Sequence, residues 1–238
     1  MCKEYCGVES FWLEDSYSDD CCKNIIEIRK TEPYHPFEVV SMFEHNLALF
    51  TGSKYAIAVD NCTDALMLCC QYVGVKGKEI NIPKKTYLSV PQSIMNAGGK
   101  VTFRDENWKG IYELEPTNIY DSAKRLRKGM YIPGSLMCLS FHQRKHLQCG
   151  KGGAILTNSQ EAADWFKQAR YEGRTPGLNY KDDDITFLGH NCYMDVVTAA
   201  RALHLLHFHP DDAPDLPEED DYCDLTQFSL FKDCEVVG

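Results

Sequence analysis

Short apolar runs alternate with longer amphipathic ones through most of the chain, and that alternation restricts the fold more than any other feature. Residues 55–59, 136–141 and 154–156 are apolar runs of strand length, and 79–82, 100–105 and 118–123 are strand-like. Between several of them lie stretches with helical spacing: 65–73 stopped by Gly74, 87–97 closed by Gly98 and Gly99, and 159–169 ending near Gly173. An earlier helix is set by Val39, Val40, Phe43, Leu47 and Phe50, with Pro36 at its start and Gly52 at its end. A last helix covers 195–206, and 24–30 reads as a further short strand. Strands alternating with helices need crossover connections, which predicts an α/β fold: a mostly parallel sheet flanked by helices.

The expected organisation is an N-terminal extension (1–24), one domain (25–208) and an acidic, proline-containing tail (209–238). A net charge of −10 argues against a protein that grips nucleic acid phosphates. No apolar run approaches the roughly 20 residues that span a bilayer, and the N-terminus lacks a signal-peptide core. A cytoplasmic protein without membrane or nucleic acid partners is therefore expected, and its twelve cysteines are expected to stay reduced. Cys2, Cys6, Cys21 and Cys22 make a conceivable zinc set, and His204, His207 and His209 a conceivable metal cluster. The cysteines lack paired C-x-x-C spacing, and histidines equally suit a helix C-terminus, so no metal site is assigned.

Four segments carry chemistry. The strand at 55–59 runs through a polar turn into a helix whose N-cap candidate is Thr63, an arrangement that suits an anion because free N–H groups and the helix dipole point outward. Tyr87 is an aromatic at the start of a helix. Asp121 is a carboxylate at the end of a strand. Residues 136–154 form an apolar strand ending at Ser140, a basic turn with Lys145, and a return through Gly150, Gly152 and Gly153. An anion cradle, a stacking face, an acid and a lysine together suit a cofactor with a phosphate, a flat ring, a basic ring nitrogen and an aldehyde. Pyridoxal phosphate (PLP) has all four.

At these residues the chain resembles the DegT-type nucleotide-sugar aminotransferases, a branch of the type I PLP-dependent fold. The family's Ser-Gly-Thr-x-Ala-Leu pattern stands here as Asn61-Cys62-Thr63-Asp64-Ala65-Leu66, and its proline-bounded aromatic segment as Pro83-Lys84-Lys85-Thr86-Tyr87. Its Asp-Ala-Ala-His/Gln motif matches Asp121-Ser122-Ala123-Lys124, and its Phe-Ser-Phe-His-x-x-Lys motif matches Leu139 to Lys145. Gly150-Lys151-Gly152-Gly153, Arg170 to Arg174, and Gly189 to Asp195 follow in the family's order, so the likeness extends over about residues 40–206. The resemblance implies a reduced form of the PLP-dependent transferase large domain, with the small C-terminal domain missing. It implies that Lys145 carries the cofactor as a Schiff base and then shuttles a proton, while Asp121 pairs with the ring nitrogen. It further implies that Tyr87 stacks on the ring, and that Cys62, Thr63, Asp64 and Ser140 hold the phosphate. Asn191 would reach the neighbouring subunit's phosphate, which implies a homodimer with shared sites. The implied reaction moves an amino group, with glutamate as donor, onto a nucleotide-linked keto-deoxysugar.

Four substitutions depart from the family pattern: Cys62 for glycine, Lys124 for His/Gln, Lys151 for glutamate and Tyr193 for arginine. The segment between Asp105 and Asp121 is also too short for the strand and helix the family places there. These departures keep an alternative open, a degenerate family member acting as a binding or scaffold subunit. A related dehydratase would replace the lysine with histidine, and Lys145 argues against it.

Overall fold

The computed structural model describes residues 37–217 and 222–237. The expected extension, the strand at 24–30, Pro36 and the N-terminal cysteines lie outside the described residues. Helix α1 (Glu38–Thr51) leads into β1 (Tyr55–Val59), α2 (Cys62–Val73), β2 (Glu79–Pro83), α3 (Ser89–Asn96) and β3 (Lys100–Arg104). Strands β4 (Tyr112–Leu114), β5 (Ile119–Asp121), β6 (Leu136–Ser140) and β7 (Gly153–Thr157) follow. Helices α4 (Gln160–Ala169) and α5 (Val196–His207) come next, then a 3-10 turn (Leu225–Gln227) and β8 (Val236–Val237).

Five strands pair in the order β1-β7-β6-β5-β4, and three in the order β2-β3-β8. A two-way backbone link between Asn81 and Glu115 (2.8 and 3.0 Å) joins β2 to the end of β4. The α/β class matches the alternation in the sequence, and the sheet is mixed. Pairs β2–β3, β3–β8 and β5–β6 are parallel, whereas β1–β7, β6–β7 and β4–β5 are antiparallel. A parallel crossover takes a dozen or more residues, and the four between β4 and β5 are too few, so that pair is a hairpin.

Period-two alternation in the strands explains the layering. Ile57 and Val59 of β1, Cys138 of β6 and Ile155 of β7 face a core shared with α2, α3 and α4. Ala56 and Ala58, Met137 and Leu139, and Ala154 and Leu156 face the opposite core, which Phe43 and Leu47 of α1 and Ala199, Ala202 and Leu206 of α5 complete. Full burial of a side chain such as Phe43 or Leu47 contributes about 1.5–3 kcal/mol. Residues 209–217 and 222–237, expected as a tail, pack on this scaffold. Leu225 and Phe231 are buried, and β8 extends the sheet beside β3.

The outer edge of β1 is closed by side chains. Glu44 Oε1 accepts from the Ala58 N–H (2.8 Å), and Arg170 Nη1 donates to the Ala58 carbonyl (2.5 Å) and to Glu44 itself. Both side chains are largely buried, at 10% and 13% exposure. Removing one member of such a pair strands the other charge. Arg170→Met should therefore cost about 3 kcal/mol and lower Tm by roughly 6–12 °C in a domain of this size. Thermal and urea unfolding check this; a loss below ~1 kcal/mol would contradict it.

Candidate active site

One cavity of about 1090 Å³ opens where α2 begins and where β5 and β6 end. In a sheet of this kind, strand ends are where ligands bind. Cys62, Thr63, Tyr87, Asp121, Ser140 and Lys145 all line it. Six of the eight residues singled out from the sequence are thus brought together, and Asp64 and Asn191 are not among the lining residues.

The α2 corner is built by its cap. Asn61, rather than Thr63, is the N-cap: its extended backbone (φ −165°, ψ 166°) lets Oδ1 accept from the Asp64 N–H at 2.9 Å. Asparagine and threonine compete for this role, and the earlier residue wins, so the helix starts at Cys62. Thr63 is thereby released, and its hydroxyl donates to Ser89 Oγ (2.8 Å) at the start of α3. Ser89 also lines the cavity and was missed in the sequence, where nothing marks it out. Asp64 Oδ2 accepts from Asn61 Nδ2 (2.6 Å). Partial burial and the neighbouring Asp60 push its carboxyl up to about 6. Gly153 lets β7 lie against this corner, because a Cβ there would fall 2.6 Å from the Asn61 carbonyl carbon.

Asp121 ends β5 and is 5% exposed. Its Oδ1 accepts from the Ala123 N–H (2.9 Å) and its Oδ2 from the Tyr112 hydroxyl (2.7 Å). Burial pushes its carboxyl above the usual range, while those two hydrogen bonds and the ammonium groups of Lys145 and Lys124 pull the other way. Burial likewise pushes the Tyr112 phenol well up, so it stays a donor. Tyr112 sits on β4, a three-residue strand too short to read from periodicity.

Lys145 is carried by the loop between β6 and β7. Phe141 and Leu147, both buried, pin the loop on either side, and Phe141 packs edge-on against Phe43 at 5.4 Å. Within the loop, the Lys145 N–H donates to the His142 carbonyl (2.8 Å), and the Phe141 N–H to the Gly152 carbonyl (2.8 Å). Gly152 makes the return at φ +127°, a backbone region that favours glycine. The lysine's main chain is thus fixed while its side chain reaches the cavity. Tyr87, 55% exposed, offers an aromatic face on the same cavity. Lys124, Arg144 and Lys151 also line it, so four cationic side chains and the Asp121 carboxylate share the lining, with Lys151 Nζ paired to Asp60 (2.7 Å).

Asn191 is exposed, and its amide donates to Glu172 Oε1 (3.1 Å). His209 Nε2 lies 2.8 Å from the Leu126 carbonyl oxygen. Among the described residues, no group of three or more His, Cys, Asp or Glu is arranged to hold a metal ion. Among the same residues, no helix is long and apolar enough to cross a membrane.

Comparison with known proteins adds an independent line. The sequence profile of the DegT/DnrJ/EryC1/StrS aminotransferase family matches residues 17–129 and 127–208. A UDP-2-acetamido-2-deoxy-3-oxo-D-glucuronate aminotransferase of Pseudomonas aeruginosa is 26% identical over 219 aligned positions, covering 73% of this chain and 59% of its own. The spore coat polysaccharide biosynthesis protein SpsC of Bacillus subtilis is 26% identical over 179 positions, covering 56% and 46%. The chain therefore spans about half the length of these relatives. Among solved structures, a DegT DnrJ EryC1 StrS aminotransferase from Brucella abortus superposes with a TM-score of 0.70 at 19% identity, over 92% of this chain and 84% of that one. A Bacillus cereus structure described as a putative PLP-dependent aminotransferase gives 0.60 at 20% identity, over 82% and 66%.

Proposed function

Because the chain belongs to the DegT/DnrJ/EryC1/StrS aminotransferase family, we propose that it is a PLP-dependent aminotransferase moving an amino group from glutamate to a nucleotide-linked keto-deoxysugar. The observation that carries this reading is the meeting of Lys145 and Asp121 in one cavity with the N-terminus of α2.

The residues present fit the cofactor. Thr63, Ser89 and Ser140 offer hydroxyls beside the start of α2, a site that favours a phosphate. Tyr87 offers the stacking face. Asp121 is the buried acid for the ring nitrogen, and each of its oxygens has lone-pair capacity beyond the single hydrogen bond described above. When bound, PLP would supply an aldehyde that condenses with primary amines and a ring that accepts electron density.

The chain's own groups would do the rest. Lys145 Nζ would hold the cofactor's aldehyde end and, as a free amine, would take the proton from the donor's α-carbon. Asp121 would keep a proton on the ring nitrogen, a cationic partner that would offset the burial pushing the carboxyl up. Ser140 and Thr63 fix the phosphate end, so the reacting atoms stay registered on Lys145. The four cations around the cavity suit an anionic ligand in a protein of net charge −10. Substrate class is supported by the Pseudomonas relative, whose name specifies a UDP-linked oxo-sugar acid. The placement of Asn191 outside its own chain's cavity lining accords with a role at a partner's site in a homodimer.

The test is a half-reaction. Given PLP and glutamate without any sugar, the protein should release about one equivalent of 2-oxoglutarate per bound cofactor and then stop. PLP binding without 2-oxoglutarate would reject amino transfer and favour a binding or scaffold role.

A further inference from the structure

Tyr222 belongs to the acidic C-terminal segment and to none of the motifs, yet it lines the cavity. Its hydroxyl lies 3.4 Å from Lys145 Nζ. Its ring lies 4.6 Å from Lys124 Nζ, stacks on Trp108 at 6.0 Å and 25°, and meets Tyr87 edge-on at 6.4 Å. Trp108 is itself fixed, since its indole N–H donates to the Lys85 carbonyl (2.9 Å). Lys124, only 7% exposed, has its ammonium 5.3 Å from the Trp108 ring and donates to the Pro217 carbonyl (3.1 Å).

The chain on either side of Tyr222 is anchored. On one side, Asp215 makes a two-pronged pair with Arg125 (2.6 Å for each bond), and the Leu216 N–H donates to the Lys124 carbonyl. Gly110 makes room for that carboxylate, since a Cβ there would fall 2.3 Å from Asp215 Oδ2. On the other side, Asp224 pairs with Lys84 (3.4 Å), Leu225 is buried, and Phe231 packs edge-on against Phe103 at 6.0 Å. The described residues 215–217 and 224–231 are thus both held on the scaffold.

We propose that Tyr222 is a positioning residue of the active site. Its hydroxyl oxygen accepts from Lys145 Nζ and orients that amine, and its ring joins Trp108 as the aromatic wall over the Lys124 ammonium. The role rests on the aminotransferase reading, but the contact itself does not. A segment that composition marks as solvated thus supplies a group touching the reacting nitrogen, in the part of the chain where the family pattern is lost.

Tyr222→Phe keeps the ring and removes the hydroxyl; Tyr222→Ala removes both. In cofactor-free protein, reductive methylation of Lys145 by formaldehyde and an amine–borane, read by peptide mapping, should run about threefold or more faster in Tyr222→Phe, and faster again in Tyr222→Ala. Exposed Lys100 serves as the internal reference and should not change. With PLP loaded, Tyr222→Phe should bind the cofactor within about twofold of wild type and slow the glutamate half-reaction about tenfold. An unchanged Lys145 methylation rate in Tyr222→Phe would overturn the contact. Faster methylation with an unchanged half-reaction would overturn the positioning role. Failure of the wild-type protein to take up PLP would overturn the aminotransferase reading and the role with it, while the methylation result still judged the contact.

Discussion

Lys145→Ala should abolish amino transfer, by about 10⁴-fold or more, and leave the protein folded. On the proposed reading two functions are lost together: the amine that would hold the cofactor's aldehyde and the base that would move the α-proton. The second alone is worth about 10²–10⁴-fold. The fold should not register the change, because the described side-chain hydrogen bond of Lys145 is the 3.4 Å contact with Tyr222. The loop's position comes from Phe141, Leu147 and main-chain bonds that alanine retains. Stability should stay within about 0.5 kcal/mol of wild type. Spectra of the PLP-loaded proteins, 2-oxoglutarate release and a thermal melt separate the outcomes. A variant that retains turnover would remove Lys145 from the chemistry.

Asp121→Asn should separate activity from stability. A carboxylate beside a cationic nitrogen shifts its protonation by about 1–3 pKa units, so losing it should lower the rate by about 10- to 1000-fold. The asparagine keeps one acceptor oxygen for the Ala123 N–H, and its NH2 then faces the Tyr112 hydroxyl, which can turn to accept from it while donating to Thr86 Oγ1. Burial already pushes the Asp121 carboxyl up, meaning the folded state pays to keep it charged. The sign of the pH effect follows. A carboxyl with a raised folded-state pKa adds stability that is full at low pH and falls as pH rises through that value. Near neutrality, then, the neutral amide should leave Tm unchanged or higher while the half-reaction slows. A variant both unstable and slow would instead make Asp121 a structural residue.

The sequence made the central part of this site legible because its chemistry sits on strongly patterned elements. Strands β1, β6 and β7 are continuous apolar runs, and α2 follows a polar turn, so the positions of Thr63, Ser140 and Lys145 could be read from where those runs stop, while Asp121 was read at the end of a shorter strand. Resolution was lost where patterns are short or ambiguous. Strand β4 has three residues, below any useful period, and it carries Tyr112 to Asp121. The turn before α2 offered both Asn61 and Thr63 as caps, and only geometry chooses between them. The mixed character of the sheet includes the antiparallel pairing of β1 with β7, strands far apart in the chain, which the alternation alone does not reveal. In the C-terminal segment, prolines and acids outnumber apolar residues, so an average over the window reads as a tail. Two isolated side chains, Leu225 and Phe231, nevertheless fill core space, and one, Tyr222, reaches Lys145. Asn191 was placed by resemblance alone; its own surroundings show only an exposed amide bonded to Glu172.

Four cationic side chains line the cavity, so the account stands or falls on which of its three lysines takes the cofactor. Borohydride reduction of the PLP-treated protein, followed by proteolysis and mass spectrometry, fixes any such adduct permanently and reports its position. The pyridoxyl group should be found on Lys145, near stoichiometric, and absent when the same treatment is applied to Lys145→Ala. Label on Lys124 or Lys151, label scattered over surface lysines, or no label at all would contradict it.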